Sequence, residues 1–343
     1  MGGPGRHLSS RSSERGGQLE STYKEFGVKF HVNRDVLSEA VSFAVKLLPQ
    51  RTTQPILSGV LLEAGDGVLV LSSFDYEVSS RTEIPAEVDE PGVALVSGRL
   101  LADIASRLPN APVNFSYDDG RIAVSCGSAK FTLLSMPVEE YPSLPQIDDR
   151  TGVLPAEDFA DAVSQVAVAA SRDDVTPVIT GVQLEVGDNK LSFVATDRYR
   201  VAVREIDWDS GTDSAEGATA LVPARTLSEI GKTFGHSGTI GVSIVHNDDR
   251  ELIAFTADKR TVTSLLIKGN FPPVKRLFPE TVENYAVVNT AELVGPGHYE
   301  TTASQPRDLR IDLAAKSTPM AHHALVRHTA ERTTRWSPLV FIR

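Results

Sequence analysis

Cysteine is nearly absent. The single Cys126 in 343 residues excludes an internal disulfide, suits a reducing compartment and reads as a small core residue. Long apolar runs are missing too. Stretches such as Ile56–Leu62 and Val93–Val96 fall far short of the roughly 20 residues a bilayer-spanning helix needs, and the amino terminus has no signal-peptide apolar core. The sequence therefore predicts a cytoplasmic protein with no membrane partner. Aromatic residues are sparse at 6%, yet 41% of the chain is hydrophobic, enough to bury cores and to exclude wholesale disorder, collagen and coiled coil. The length exceeds the roughly 250–300 residues at which single cores stop growing, so two or more domains are expected.

Positive charge is in deficit, with 34 Lys and Arg against 45 Asp and Glu and a formal net charge of −11. The deficit is uneven: residues 1–27 carry +1 and residues 295–343 carry +3, leaving −15 on 28–294. This balance argues against a protein that coats nucleic acid, though it allows a basic stripe on a concave surface. Catalytic signatures are lacking as well. There is no phosphate-cradling Gly-rich loop, nucleophile elbow, paired-His helix motif or paired-Cys knuckle. His322, His323 and His328 have no carboxylate or cysteine at metal spacing. No catalytic residue, metal site or cofactor is predicted.

What is present is repetition. Residues 1–27, rich in Gly, Ser, Arg and Glu, read as a flexible leader. From Val28 the pattern changes: Lys29-Phe30-His31-Val32 alternates like a strand, Asn33 is placed to cap a helix, and Val36, Leu37, Ala40, Val41, Ala44 and Leu47 recur at helical spacing up to Pro49. Sliding the chain against itself by 122 residues lays Ile56–Ile84 on Val178–Ile206 without a gap and with ten identities, among them Gly59/Gly181, Glu63/Glu185 and Asp75/Asp197. Val96-Ser97-Gly98-Arg99 and Val222-Pro223-Ala224-Arg225 each open a second helix, and each copy closes on an aromatic-Pro pair, Tyr141-Pro142 and Phe271-Pro272. Gly65-Asp66-Gly67, Asp118-Asp119-Gly120 and Gly187-Asp188-Asn189 supply hairpin turns. Each copy reads as two half-units, each bringing one helix to a sheet.

A third copy begins at Val288-Asn289-Thr290-Ala291-Glu292-Leu293, which echoes Val32–Leu37 at an offset of 256, and the echo stops after Val294. The sequence thus predicts domains at 28–150 and 151–283, then at 284–343 the start of a third followed by a divergent, poorly ordered tail that looks like translation in another frame.

Two sets of residues stand out for binding. Arg51 and Arg172 follow the first helix of each copy, while Arg99 and Arg225 begin the second. On one concave surface they would give repeated, sequence-indifferent phosphate contacts; solvated helix ends are the alternative. Thr196-Asp197-Arg198-Tyr199-Arg200 is a polar cluster in a strand-rich region, better suited to an interface rim than to catalysis, with Phe271-Pro272-Pro273 as an apolar wall beside it. As a plain ion-paired loop it would carry neither role.

These residues carry a family resemblance. Lys29-Phe30-His31-Val32, Arg51-Thr52-Thr53-Gln54-Pro55-Ile56-Leu57, Leu71–Glu77, Val96–Leu101, Pro137–Pro142, Ala195–Arg200 and Phe271-Pro272-Pro273, in this order and spacing, resemble the bacterial sliding clamp, the beta subunit of DNA polymerase III, of actinobacterial type. The resemblance covers about Val28 to Val294. It implies an α+β DNA clamp fold and a ring of two head-to-tail subunits, each of three like domains, with helices inside around double-stranded DNA and sheets outside. It implies a processivity factor, not an enzyme. The partners implied are DNA, and the polymerase III alpha subunit and clamp loader docking through short peptides. The family's DNA contacts fall on Arg51 and Arg99, with Arg172 adjacent to another. Its peptide pocket maps onto Ile179, Thr196, Arg198, Tyr199, Arg200, Val201, Pro272 and Leu277. The family completes that pocket, and half of its subunit contact, with a third domain that the sequence pattern does not continue. The alternative is therefore a truncated clamp fragment with a partial groove and no ring.

Overall fold

A strand, a capped helix and a run of hairpins build the first module. The computed structural model describes residues 27–48, 52, 54–145, 147, 151–187, 189–210, 217–246, 251–277, 285–289, 308–314, 323–328 and 339–341. β1 (Lys29–Val32) leads into α1 (Arg34–Lys46), where Asn33 Oδ1 accepts the N–H groups of Asp35 at 2.9 Å and Val36 at 3.3 Å. Those are two of the amides the first helical turn leaves unpaired. Then come β2 (Gly59–Gly65), β3 (Val68–Phe74), β4 (Val78–Pro85), β5 (Glu87–Glu90), β6 (Gly92–Ser97), α2 (Gly98–Ala105), β7 (Val113–Asp118), β8 (Arg121–Cys126) and β9 (Ala129–Met136). Asp66 and Gly67 (φ 49° and 78°) and Asp119 and Gly120 (φ 43° and 74°) have both turn residues in the left-handed region, which matches the twist of the strands they join.

The second module repeats these eleven elements one for one: β10 (Gly152–Pro155), α3 (Ala156–Val166), β11 (Gly181–Gly187), β12 (Lys190–Thr196), β13 (Arg200–Asp207), β14 (Asp209–Ser210), β15 (Thr219–Pro223), α4 (Ala224–Phe234), β16 (Thr239–His246), β17 (Glu251–Ala257) and β18 (Arg260–Leu265). Each module holds two half-sheets. In the first, β4-β3-β2-β6 and β9-β8-β7-β1-β5 join through the short pairing of Leu95 with Met136 and Val96 with Ser135. In the second, the corresponding seam is one backbone bond, Ile267 N–H to Leu221 C=O at 2.8 Å. Helices cover one face of each module and the other face points outward.

Each module has its own core. Phe30 stacks on Phe115 at 4.7 Å in the first, with Cys126 fully buried nearby, and Phe159 packs between Phe193 and Phe255 in the second. The two modules fuse edge to edge. β18 pairs antiparallel with β4 from Arg260↔Thr82 to Ser264↔Val78, so the sheet runs on across the junction. Phe43 of α1 belongs to the second module's core.

Beyond residue 284 the described backbone is sheet: β19 (Tyr285–Asn289), β20 (Asp308–Ala314), β21 (His323–His328) and β22 (Leu339–Phe341). This differs from the expected poorly ordered tail. The strands follow one another on β13 in the order β13-β22-β21-β20-β19, which repeats β4-β18-β17-β16-β10 at the junction of the first two modules. Val201 pairs with Val340 much as Ser79 pairs with Thr263. Such pairing uses backbone groups that any residue carries, so it needs no side-chain period of the kind the sequence lacks there. Thr290–Leu293 of the third echo, and His322, lie outside the described residues. Among the described residues no helix is long and apolar enough to cross a membrane.

Candidate functional site

The helices form one continuous row. Gly98 at the start of α2 sits so close to Val45 and Leu48 that a Cβ there would approach their side chains to 3.1 and 2.9 Å. Gly231 and Gly235 of the α4 end lie likewise against Ala160 and Val163 of α3. Between the modules, Lys46 Nζ donates to Thr233 Oγ1 at 2.8 Å and lies 3.9 Å from Glu229, while the Phe43 and Phe234 rings stand 6.1 Å apart. The row is therefore α2-α1-α4-α3, and where the modules meet the carboxy-terminal ends of α1 and α4 are in contact.

The start of α2 lies by the end of α1, and the end of α4 lies against the first half of α3. Arg99 and Arg225 are exposed on the first turns of α2 and α4, and exposed Arg172 follows Ser171, whose N–H bonds Ile179 C=O, one residue before the Thr180 carbonyl that caps Ala224. Arg51 lies outside the described residues. The segment Ile179–Thr180 thus links the neighbourhoods of Arg172 and Arg225, while Arg99 begins α2 in the first module.

The helical face itself is not uniformly positive, contrary to an inner wall that is basic throughout. α3 carries Glu157, Asp158 and Asp161 and no cation. On α4, the hydrogen bond from Lys232, aided by the charges of Lys46 and Arg225, holds the Glu229 carboxyl below its ordinary range.

The second constellation is built on a tight turn between β12 and β13. Asp197 Oδ1 accepts the N–H groups of Tyr199 and Arg200, both at 3.0 Å, and its Oδ2 pairs with Arg200 Nε at 3.0 Å. Thr196 Oγ1 donates to the Arg200 carbonyl at 2.8 Å and accepts from Arg198 N–H. Arg198, at φ 78°, donates through Nη2 to Thr176 Oγ1 at 2.6 Å, tying the turn to the segment that carries buried Ile179. The turn thrusts Tyr199 outward, 73% exposed. Beside it, buried Val201 packs with Val194, Val203 and Val274, and Phe271 lies against them, which brings Pro272 and exposed Leu277 alongside.

The result is an apolar floor with a cationic and aromatic edge, on which the turn brings Thr196, Arg198, Tyr199, Arg200 and Val201 together. Sequence reasoning missed Thr176 and Val274. The repeat offered one signal for the turn itself, because Asp75 plays the part of Asp197, accepting from Glu77 and Val78 N–H at 3.0 and 2.7 Å with Tyr76 at φ 73°. Among the described residues no group of three His, Cys, Asp or Glu side chains could hold a metal ion.

The N-terminal domain of the DNA polymerase III beta subunit matches residues 28–145, and its central domain matches residues 153–273. A beta sliding clamp of Streptomyces coelicolor is 48% identical over 268 residues, 78% of this chain and 71% of its own, and one of Micrococcus luteus is 44% identical over 267 residues, 78% and 85%. A crystal structure of the DNA polymerase III subunit beta from Pseudomonas aeruginosa has the same fold, with a TM-score of 0.77 at 21% identity over 92% of this chain and 99% of that one. The fold likeness runs further along the chain than the sequence likeness.

Proposed function

The chain belongs to the DNA polymerase III beta-subunit family, and from that premise we propose that it is a DNA sliding clamp whose helix row follows duplex DNA through exposed arginines at its helix ends. The observation that carries this reading is the continuous row α2-α1-α4-α3 with exposed Arg99 and Arg225 on the first turns of α2 and α4 and exposed Arg172 after α3, and Arg51 is assigned to the same set. Guanidinium groups on phosphates bind without reading sequence. A few such contacts, against a face of mixed charge, hold the duplex loosely enough to slide. The protein is an accessory subunit with no catalytic site of its own.

The turn at Thr196–Val201 with Ile179, Pro272 and Leu277 is the docking rim for short peptides of the replicative polymerase and the clamp loader. Tyr199 and Arg198 supply the anchors favoured at such interfaces. Tethering raises the polymerase's local concentration at the primer end, a gain from geometry rather than from chemistry. The working compartment is the cytoplasm, where the bacterial chromosome is copied.

A second copy of the chain completes the ring. β9 is the counterpart of β18, yet among the described residues its stretch Ala129–Leu134 pairs only with β8, whereas β18 also carries a five-residue ladder to β4. Leu134 is 72% exposed along that edge. Sedimentation at micromolar concentration tests the assembly. The expected mass is twice the 37.0 kDa of one chain, falling to one chain in Leu134→Asp; a wild-type monomer would contradict it.

A further inference from the structure

Two junctions of one backbone design join the sheets of this chain, β4 with β18 and β13 with β22, and the 122-residue offset lays β4 on β13 and α1 on α3. At the first junction the ladder runs from Val78 to Thr82 and continues at both ends, through Glu83 N–H to Lys259 C=O at 3.2 Å and Leu265 N–H to Glu77 C=O at 2.8 Å. Side chains cross it as well. Phe43 leaves α1 to be buried in the second module's core, and Arg260 pairs with Glu39 at 2.6 Å and stands 5.5 Å over the Phe43 ring. Lys259 pairs with Glu83 at 3.0 Å.

At the second junction those positions hold other residues. Gln165 stands where Phe43 stands, and it is tied to its own module, its Oε1 accepting from Arg204 Nη1 at 3.1 Å. Arg204, buried on β13, takes the place of Thr82, and exposed Val168 takes the place of Lys46. The described ladder runs from Arg200↔Phe341 to Ala202↔Leu339 and stops short of Arg204, whereas the first ladder reaches Thr82. The two designs differ in what they do to an opening seam. Parting the first exposes the Phe43 ring to water, which resists opening. The bond between Gln165 and Arg204 is the same with the second seam open or shut, so it favours neither state.

We infer that the chain has one stiff joint and one compliant joint. The two modules, with the row α2-α1-α4-α3, move as one body, and the sheet β19–β22 swings on β13 by parting Arg200–Ala202 from Leu339–Phe341.

Hydrogen–deuterium exchange of the full chain, resolved to single amides, tests this. Amides bonded across β13–β22 are expected to exchange at least about tenfold faster than those bonded across β4–β18. They should also exceed by about tenfold those of the β20–β21 ladder, which part only if the third sheet itself unfolds. Phe43→Gln gives the first junction the residue of the second and should speed exchange across β4–β18 about fivefold while leaving β13–β22 unchanged. The milder Phe43→Leu should act in the same direction by about threefold, and it stands in if the Gln variant does not fold. Equal exchange at the two junctions, exchange of β20–β21 as fast as that of β13–β22, or Phe43 variants that leave the β4–β18 rate unchanged would each overturn the inference.

Discussion

Lys46 of the first module donates to Thr233 of the second across 187 residues of chain, at 2.8 Å. It does so beside Phe43, a first-module side chain buried in the second module's core. The contact fixes the order of the helix row.

The junction should therefore behave as part of the core. Phe43→Ala is expected to lower the unfolding free energy by about 3 kcal/mol, whereas Lys46→Ala, on an exposed pair, costs under about 1 kcal/mol. Urea denaturation followed by fluorescence and circular dichroism measures both. A Phe43→Ala effect below about 1 kcal/mol would mean the modules do not share a core.

The helix-end arginines should act through charge alone. Arg99→Glu with Arg225→Glu is expected to weaken DNA binding uniformly across sequences and to lower the slope of log affinity against log salt by about 1 for each phosphate no longer neutralised. Titration of fluorescent duplexes at several salt concentrations reads this. An unchanged slope would place those side chains away from the backbone.

Asp75 and Asp197 make the same turn in the two modules, and only the second is assigned to peptide docking. Removing either carboxylate should cost about 1–2 kcal/mol of stability, because backbone N–H groups of the turn are left without their acceptor. Asp197→Ala should also weaken a clamp-binding peptide of the polymerase about tenfold, and Asp75→Ala should not. Isothermal titration with both variants separates the two effects; equal weakening of the peptide by both would count against the rim.

His31 sits between two acceptors. Its Nδ1 meets Asn114 Oδ1, oriented by the bond from Asn114 Nδ2 to Ser125 C=O, and its Nε2 lies 2.8 Å from Asp89 Oδ2. Hydrogen bonds to Asn114 and then Asp89 raise its pKa above the ordinary 6.5. A raised folded-state value stabilises fully below about pH 6.5 and the contribution is lost as pH rises through the folded pKa. The ring is a third exposed, so the effect is under about 1 kcal/mol. Relative to His31→Gln, the native chain should lose stability from pH 6 to pH 8. A difference that stays flat or grows with pH would remove the imidazolium.

Much of this architecture was legible because the chain states it twice. The 122-residue offset gave the modules, Asn33 gave a helix start, and Asp66-Gly67 gave a turn, since residue type and required backbone conformation coincide there. Asp258-Lys259 makes the same turn at φ 49° and 61° without glycine, and nothing in its composition marks it. The β18–β4 junction and the strands β19–β22 rest on backbone pairing, which leaves little trace in side chains. The bond between Arg198 and Thr176 joins residues 22 apart whose types suit a loop anywhere. The arginines were visible as residues, but the helix row that carries them depends on packings that only the folded chain reveals.

Whether the protein encircles duplex DNA is decided by its retention on DNA of different topology. Purified protein is assembled with the clamp loader on nicked circular plasmid, separated by gel filtration in high salt, and the plasmid is then linearised. The protein is expected to co-elute with circles and to be released once ends are available. Equal retention on circles and linear duplex, or release from both, would contradict encirclement.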